Sequence, residues 1–65
     1  MANAYYTINQ NRLAEIVANV QQTSPMTEAQ VRDFVLADWP EGAEHQDWLD
    51  NAPVSEIADW VVAGQ

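Results

Sequence analysis

The absence of cysteine from a chain of 65 residues constrains its fold more than any other feature. A domain this short buries only about 60% of the surface that its unfolded chain exposes. Natural domains of this size therefore need disulfides, a metal, a partner or dense packing. Without cysteine, disulfides and the usual zinc frameworks are excluded. We expect a single small domain over residues 1–65, stabilised by dense packing or by a partner.

Apolar residues recur at helical spacing in four segments that turn residues separate. This pattern predicts an all-α fold, a compact bundle of three to four short helices with no sheet. The predicted helices cover about residues 9–22, 27–37, 40–51 and 53–63. The residues expected on their buried faces are Leu13, Ile16, Val17, Val20, Val31, Phe34, Val35, His45, Trp48, Leu49, Ala52, Val54, Ile57, Ala58 and Val61.

The first two helices have sequence signals for a capping box, in which the N-cap and third-residue side chains bond each other's backbone amides. Thr7 is followed three residues later by Gln10, and Thr27 by Gln30. We therefore predict that Thr7 and Thr27 cap the two helices.

The other helix ends are predicted from single residues. Asp38 is expected to be the N-cap of the third helix, with Pro40 in its first turn. Gly64 is expected to end the last helix in a left-handed conformation. Glu28 and Arg32, four residues apart, are expected to form an ion pair.

The net charge of −8 is confined to one part of the chain. Residues 1–27 are neutral, whereas residues 28–65 carry nine acids against one arginine, and lysine is absent. Such a field repels nucleic acids and anionic membranes and attracts basic surfaces. It argues against a helix-turn-helix DNA-binding protein, which needs cations to contact phosphates.

Three tryptophans lie among the acids, between residues 38 and 60. Each can bury about 150–250 Å², so tryptophans could decide whether so small a chain folds. We assign Trp48 and Trp60 mainly to packing. Trp39 precedes a proline in a connection, and tryptophan is enriched at binding hot spots, so Trp39 is the best candidate for an interface anchor.

The carboxylates have several possible roles. They could provide solubility and helix capping, or recognise a basic partner, in its narrowest form by imitating the phosphates of a nucleic acid. Glu41 and His45 could share a metal ion, but two ligands do not make a site and no calcium-loop spacing is present. His45 is more plausible as a packed core residue, so we predict no metal and no cofactor.

Enzyme activity is not expected. His45 is the single histidine, cysteine is absent, and no glycine-rich phosphate loop is present. A chain this short rarely encloses a pocket that could shift the pKa of a carboxylate.

We therefore expect a non-enzymatic acidic interaction module that docks on a basic surface of a larger cytoplasmic protein, as an inhibitor or modulator. The alternative is a structural or assembly subunit that self-associates as a helical homodimer. The N-terminus lacks a basic and apolar leader, and no apolar run is long enough for a membrane span, so we expect a complete cytoplasmic protein. The residues predicted to bind the partner are Asp38, Trp39, Glu41, Glu44, Asp47 and Asp50.

Overall fold

A computed structural model of the chain describes residues 6–64. This part of the chain forms four helices and no strand, which confirms the predicted all-α fold. The helices are α1 (Gln10–Gln21), α2 (Glu28–Val35), α3 (Ala43–Asn51) and α4 (Val54–Ala63). The predicted domain limits, residues 1 and 65, lie outside the described residues.

The first helix is capped by Asn9 and not by Thr7. The Asn9 side chain accepts hydrogen bonds from the backbone amides of Asn11 and Arg12, at 2.9 and 3.2 Å. The backbone of Thr7 instead bonds the Gln46 side chain in both directions, at 2.9 and 2.8 Å. The predicted Thr7 cap was wrong because the helix begins later, after Asn9, whose side chain is one of the preferred N-caps.

The second helix has the predicted capping box. Thr27 Oγ1 accepts from the Gln30 amide at 3.2 Å, and Gln30 Oε1 accepts from the Thr27 amide at 2.9 Å. The predicted ion pair of Glu28 and Arg32 is not formed. Within residues 6–64 the one ion pair joins Arg32 Nε to Asp33 Oδ1 at 3.9 Å, and both side chains are too exposed for it to contribute much stability.

The third helix begins at Ala43, three residues after the predicted start, and Asp38 does not cap it. Its N-cap is Gly42, which has no side chain to offer and adopts a φ of 62°. This conformation favours glycine and turns the chain into the helix. The residues from 36 to 42 are therefore a connection, and it carries Trp39 and the exposed Asp38.

The last helix ends at Ala63, but Gly64 is not left-handed. Its φ is −85°, so the helix ends where it was predicted to end, but the predicted left-handed conformation of Gly64 was wrong. Glycine lets the chain approach Phe34 closely here, since a Cβ on Gly64 would lie 2.6 Å from Cζ of Phe34 and the ring would have to move. The end of α4 thus lies directly against the Phe34 ring.

The core is formed chiefly by α1 and α4, and α2 packs against both. The predicted apolar faces of α1 and α4 supply most of the fully buried side chains, including Ile16, Val20, Ile57 and Val61. α3 adds Leu49, which is also fully buried. No helix within residues 6–64 has the length and apolarity needed to cross a membrane.

Carbonyl groups at helix C-termini lack partners within their own helix, and here distant side chains bond several of them. Arg12 on α1 donates from Nε to the Leu49 carbonyl at 2.6 Å and from Nη2 to the Ala52 carbonyl, both at the end of α3. His45 Nε2 donates to the Val35 carbonyl at 2.8 Å, at the end of α2. These bonds attach α3 to the remaining helices.

Candidate functional site

Aromatic rings from all parts of the chain meet on one side of the bundle. Trp60 on α4 is central, with its ring centroid 4.9 Å from Phe34, 4.9 Å from Trp39 and 5.2 Å from Trp48. His45 lies 5.7 Å from both Trp48 and Trp60. Tyr6 extends the group through its 4.6 Å contact with His45. We call these six rings the aromatic cluster: Tyr6, Phe34, Trp39, His45, Trp48 and Trp60.

The connection before α3 is held in place by the Tyr6 hydroxyl. This hydroxyl donates to the Trp39 carbonyl and accepts from the Gly42 amide at 3.2 Å. Trp39 adds a bond from its own ring, since Nε1 donates to the Phe34 carbonyl at 2.7 Å. Trp39 is therefore fixed at both its backbone and its ring, although it lies outside any helix.

Four rings of the aromatic cluster, those of Trp39, His45, Trp48 and Trp60, line an open depression with a volume of about 420 Å³. We call it the tryptophan depression. None of its three indole rings is fully buried. Its lining residues are Trp39, Glu41, Glu44, His45, Trp48 and Trp60.

Ring nitrogens in the depression are largely bonded to the protein itself. Trp39 Nε1 bonds Phe34 as described, His45 Nε2 bonds Val35, and Trp48 Nε1 donates to Glu56 Oε2 at 2.6 Å. The rings therefore offer a ligand mainly carbon edges and π faces. The side-chain oxygen atoms of the lining residues belong to the carboxylates of Glu41 and Glu44.

The predicted partner-binding residues divide into two groups. Trp39, Glu41 and Glu44 line the tryptophan depression, and Asp38 is exposed beside Trp39, where both line a neighbouring hollow.

Asp47 and Asp50 form the second group and do not line the depression. They are exposed on the outer side of α3, where Asp47 accepts from Asn51 Nδ2 at 3.0 Å and Asp50 from Gln46 Nε2 at 3.1 Å. The partner-binding role of both groups stays a prediction.

Two features of this site were not apparent in the sequence. Trp60 was assigned mainly to packing, yet it joins Trp39 to Trp48 and lines the depression. Glu44 was named as a partner-binding acid, but its position beside the tryptophans in the lining of the depression was not predicted. The spacing of Glu44 and Trp48, four residues apart on one helix, was the available signal, because such residues are neighbours on the helix surface.

The site offers no recognisable metal centre. Residues 6–64 contain no group of three or more histidine, aspartate or glutamate side chains arranged to hold an ion. Glu41 and His45 both line the depression, and His45 Nε2 is bonded to the Val35 carbonyl.

All ten acidic residues of the chain are exposed, and two of them, Glu41 and Glu44, line the tryptophan depression. Comparison with known proteins finds no family model that matches the chain, and no match among curated proteins or solved structures.

Proposed function

We propose that the protein is a non-enzymatic interaction module that docks on a basic surface of a larger protein and so inhibits or modulates it. The observation that carries this proposal is the position of partly exposed tryptophans within a strongly acidic surface. Long-range attraction speeds encounter with a basic partner, and tryptophan at the centre of an interface provides binding energy.

The arrangement of the tryptophans favours this function over packing alone. The fully buried side chains of the α1–α4 core, such as Ile16 and Ile57, leave no surface for a partner. The three indoles instead line an open depression beside Glu41 and Glu44. A rigid aromatic floor loses little conformational entropy on binding.

The proposal is tested by immobilising the protein and capturing its partner from a lysate of the cells in which the protein naturally occurs. We expect a basic protein to be retained at about 50 mM NaCl and released at about 300 mM, because salt screens exposed charges over this range. The control variant Glu44→Gln/Asp47→Asn/Asp50→Asn should retain much less of it. A partner that binds equally well at both salt concentrations, with an unchanged association rate, would contradict the proposal.

Two further measurements separate the alternatives. Sedimentation should show a 7.3 kDa monomer, whereas the self-associating subunit would sediment as a dimer at micromolar concentration. If duplex DNA displaces the captured partner, the narrower form of the proposal, mimicry of a nucleic acid, is favoured. If it does not, docking on a basic surface unrelated to nucleic-acid binding is favoured.

A further inference from the structure

The tryptophan depression combines two features that attract the same kind of group. The π faces of tryptophan attract cations more strongly than those of other aromatic residues. Carboxylates attract cations by charge and accept their hydrogen bonds. The depression presents three indoles and the carboxylates of Glu41 and Glu44 within one lining.

No cation in the described part of the chain pairs with the carboxylates of this lining. Within residues 6–64 the one ion pair is that of Arg32 and Asp33, and Arg12 donates to backbone carbonyls of α3. Glu41 and Glu44 thus lack a cationic partner in the described part of the chain. An anionic ligand would be repelled by these two carboxylates and would find few free hydrogen-bond donors.

We propose that the tryptophan depression binds an arginine side chain of the basic partner protein. This inference rests on the proposed function and names the chemical group that its central site recognises. The guanidinium is planar, so it stacks on an indole face while its edge donates to a carboxylate. A lysine ammonium is compact and more strongly hydrated, so it is the weaker ligand.

The dimensions of the depression agree with this assignment. Its volume of about 420 Å³ lies within the range of about 300–1,000 Å³ that is typical of small-ligand pockets. It therefore has room for a whole side chain rather than a single ion. The ring bonds to Phe34, Val35 and Glu56 hold the lining in its binding geometry before a ligand arrives, which lowers the cost of ordering it.

The test is an NMR titration of the ¹⁵N-labelled protein with blocked pentapeptides that carry one central residue between glycines. The central residue is arginine, citrulline or lysine. Citrulline has nearly the shape of arginine but no charge. We expect the arginine peptide to shift the indole N–H signals of Trp39, Trp48 and Trp60, the lysine peptide to shift them less, and the citrulline peptide to leave them unchanged.

Two matched variants locate the binding charge. Glu41→Gln/Glu44→Gln and Asp47→Asn/Asp50→Asn each remove two negative charges, the first at the depression and the second on the outer side of α3. The first should weaken the arginine peptide about fivefold or more, the size expected for losing two partly solvated charge pairs. The second should change its affinity by less than about twofold, the size expected for a distant, screened pair of charges.

Several results would overturn the inference. They are equal shifts by the arginine and citrulline peptides, the absence of indole shifts with arginine, and equal weakening by the two double variants. Equal weakening would point to a diffuse field, and docking on a basic surface would then still stand. Failure of the proposed function is seen separately, as the absence of a salt-sensitive partner in the capture assay.

Discussion

Replacing Arg12 by methionine should destabilise the protein far more than its position on a helix surface suggests. The methionine keeps much of the apolar stem but removes both hydrogen bonds from the guanidinium to the carbonyls of Leu49 and Ala52. These bonds join α1 to the C-terminal end of α3. The positive charge of Arg12 also interacts favourably there with the negative end of the helix dipole.

The size of the effect follows from the geometry. A hydrogen bond that involves a charged group contributes about 1.5–3 kcal/mol, and two are lost. Because Arg12 is partly exposed, water can bond the two carbonyls in the variant and recover part of this energy. We therefore expect the free energy of unfolding to fall by about 2–3 kcal/mol. A domain of this length has a stability of roughly 3–10 kcal/mol, so the loss is large. It corresponds to a fall in Tm of roughly 10–20 °C.

Arg32→Met is the matched control, since it removes the same charge from an arginine whose side chain is 51% exposed and whose one ion pair within residues 6–64 is that with Asp33. Its effect should stay within about 0.5 kcal/mol. Arg12→Lys should recover less than half of the loss, because one ammonium does not reproduce the two-pronged contact. Urea unfolding and differential scanning calorimetry measure all three variants. Equal destabilisation by Arg12→Met and Arg32→Met would refute the reasoning, since only net charge would then matter.

Two further predictions concern stability. His45→Leu should lower the free energy of unfolding by about 1–3 kcal/mol, because the Val35 carbonyl at the end of α2 loses its donor. His45→Gln should lower it less, because the amide nitrogen of glutamine can replace Nε2. Equal losses for the two variants in urea unfolding would contradict this prediction. Moderate NaCl should raise the Tm in calorimetry, because ten exposed acids repel each other against a single weak ion pair within residues 6–64; a fall in Tm would contradict this.

Local signals were enough to predict the helical fold. The stripe of Leu13, Ile16, Val17 and Val20 predicted the buried face of α1, and each of these residues is buried. The capping box of Thr27 and Gln30 was also predicted correctly. Both features depend on residues within about one or two turns of each other, so their spacing in the sequence is nearly their spacing in space.

The remaining features depend on residues that are distant in the sequence. The bonds of Tyr6 to Trp39 and of Arg12 to Ala52 join residues 33 and 40 positions apart, and no periodicity encodes such pairs. The start of α3 was misplaced because Asp38 and Pro40 form a good local start signal, whereas the turn at Gly42 is fixed by Tyr6.

The candidate site was predicted in part. Trp39 was correctly placed in a connection, and Glu41 and Glu44 were named as candidates. The joining of Trp39 and Trp48 through Trp60 was not predicted, because it requires the relative placement of α3 and α4 and of the connection before α3.

The contacts of Trp60 with Trp39 and Trp48 also affect the fluorescence of the protein. Excitation energy passes readily between indoles whose centroids are about 5 Å apart, as these are at 4.9 and 5.2 Å. The emission of the three rings is therefore coupled, and the ring with the lowest excited state receives energy from the other two. Removing the rings one at a time will not give additive losses of emission, and a quencher that reaches the emitting ring will also remove emission that began as absorption by the other two.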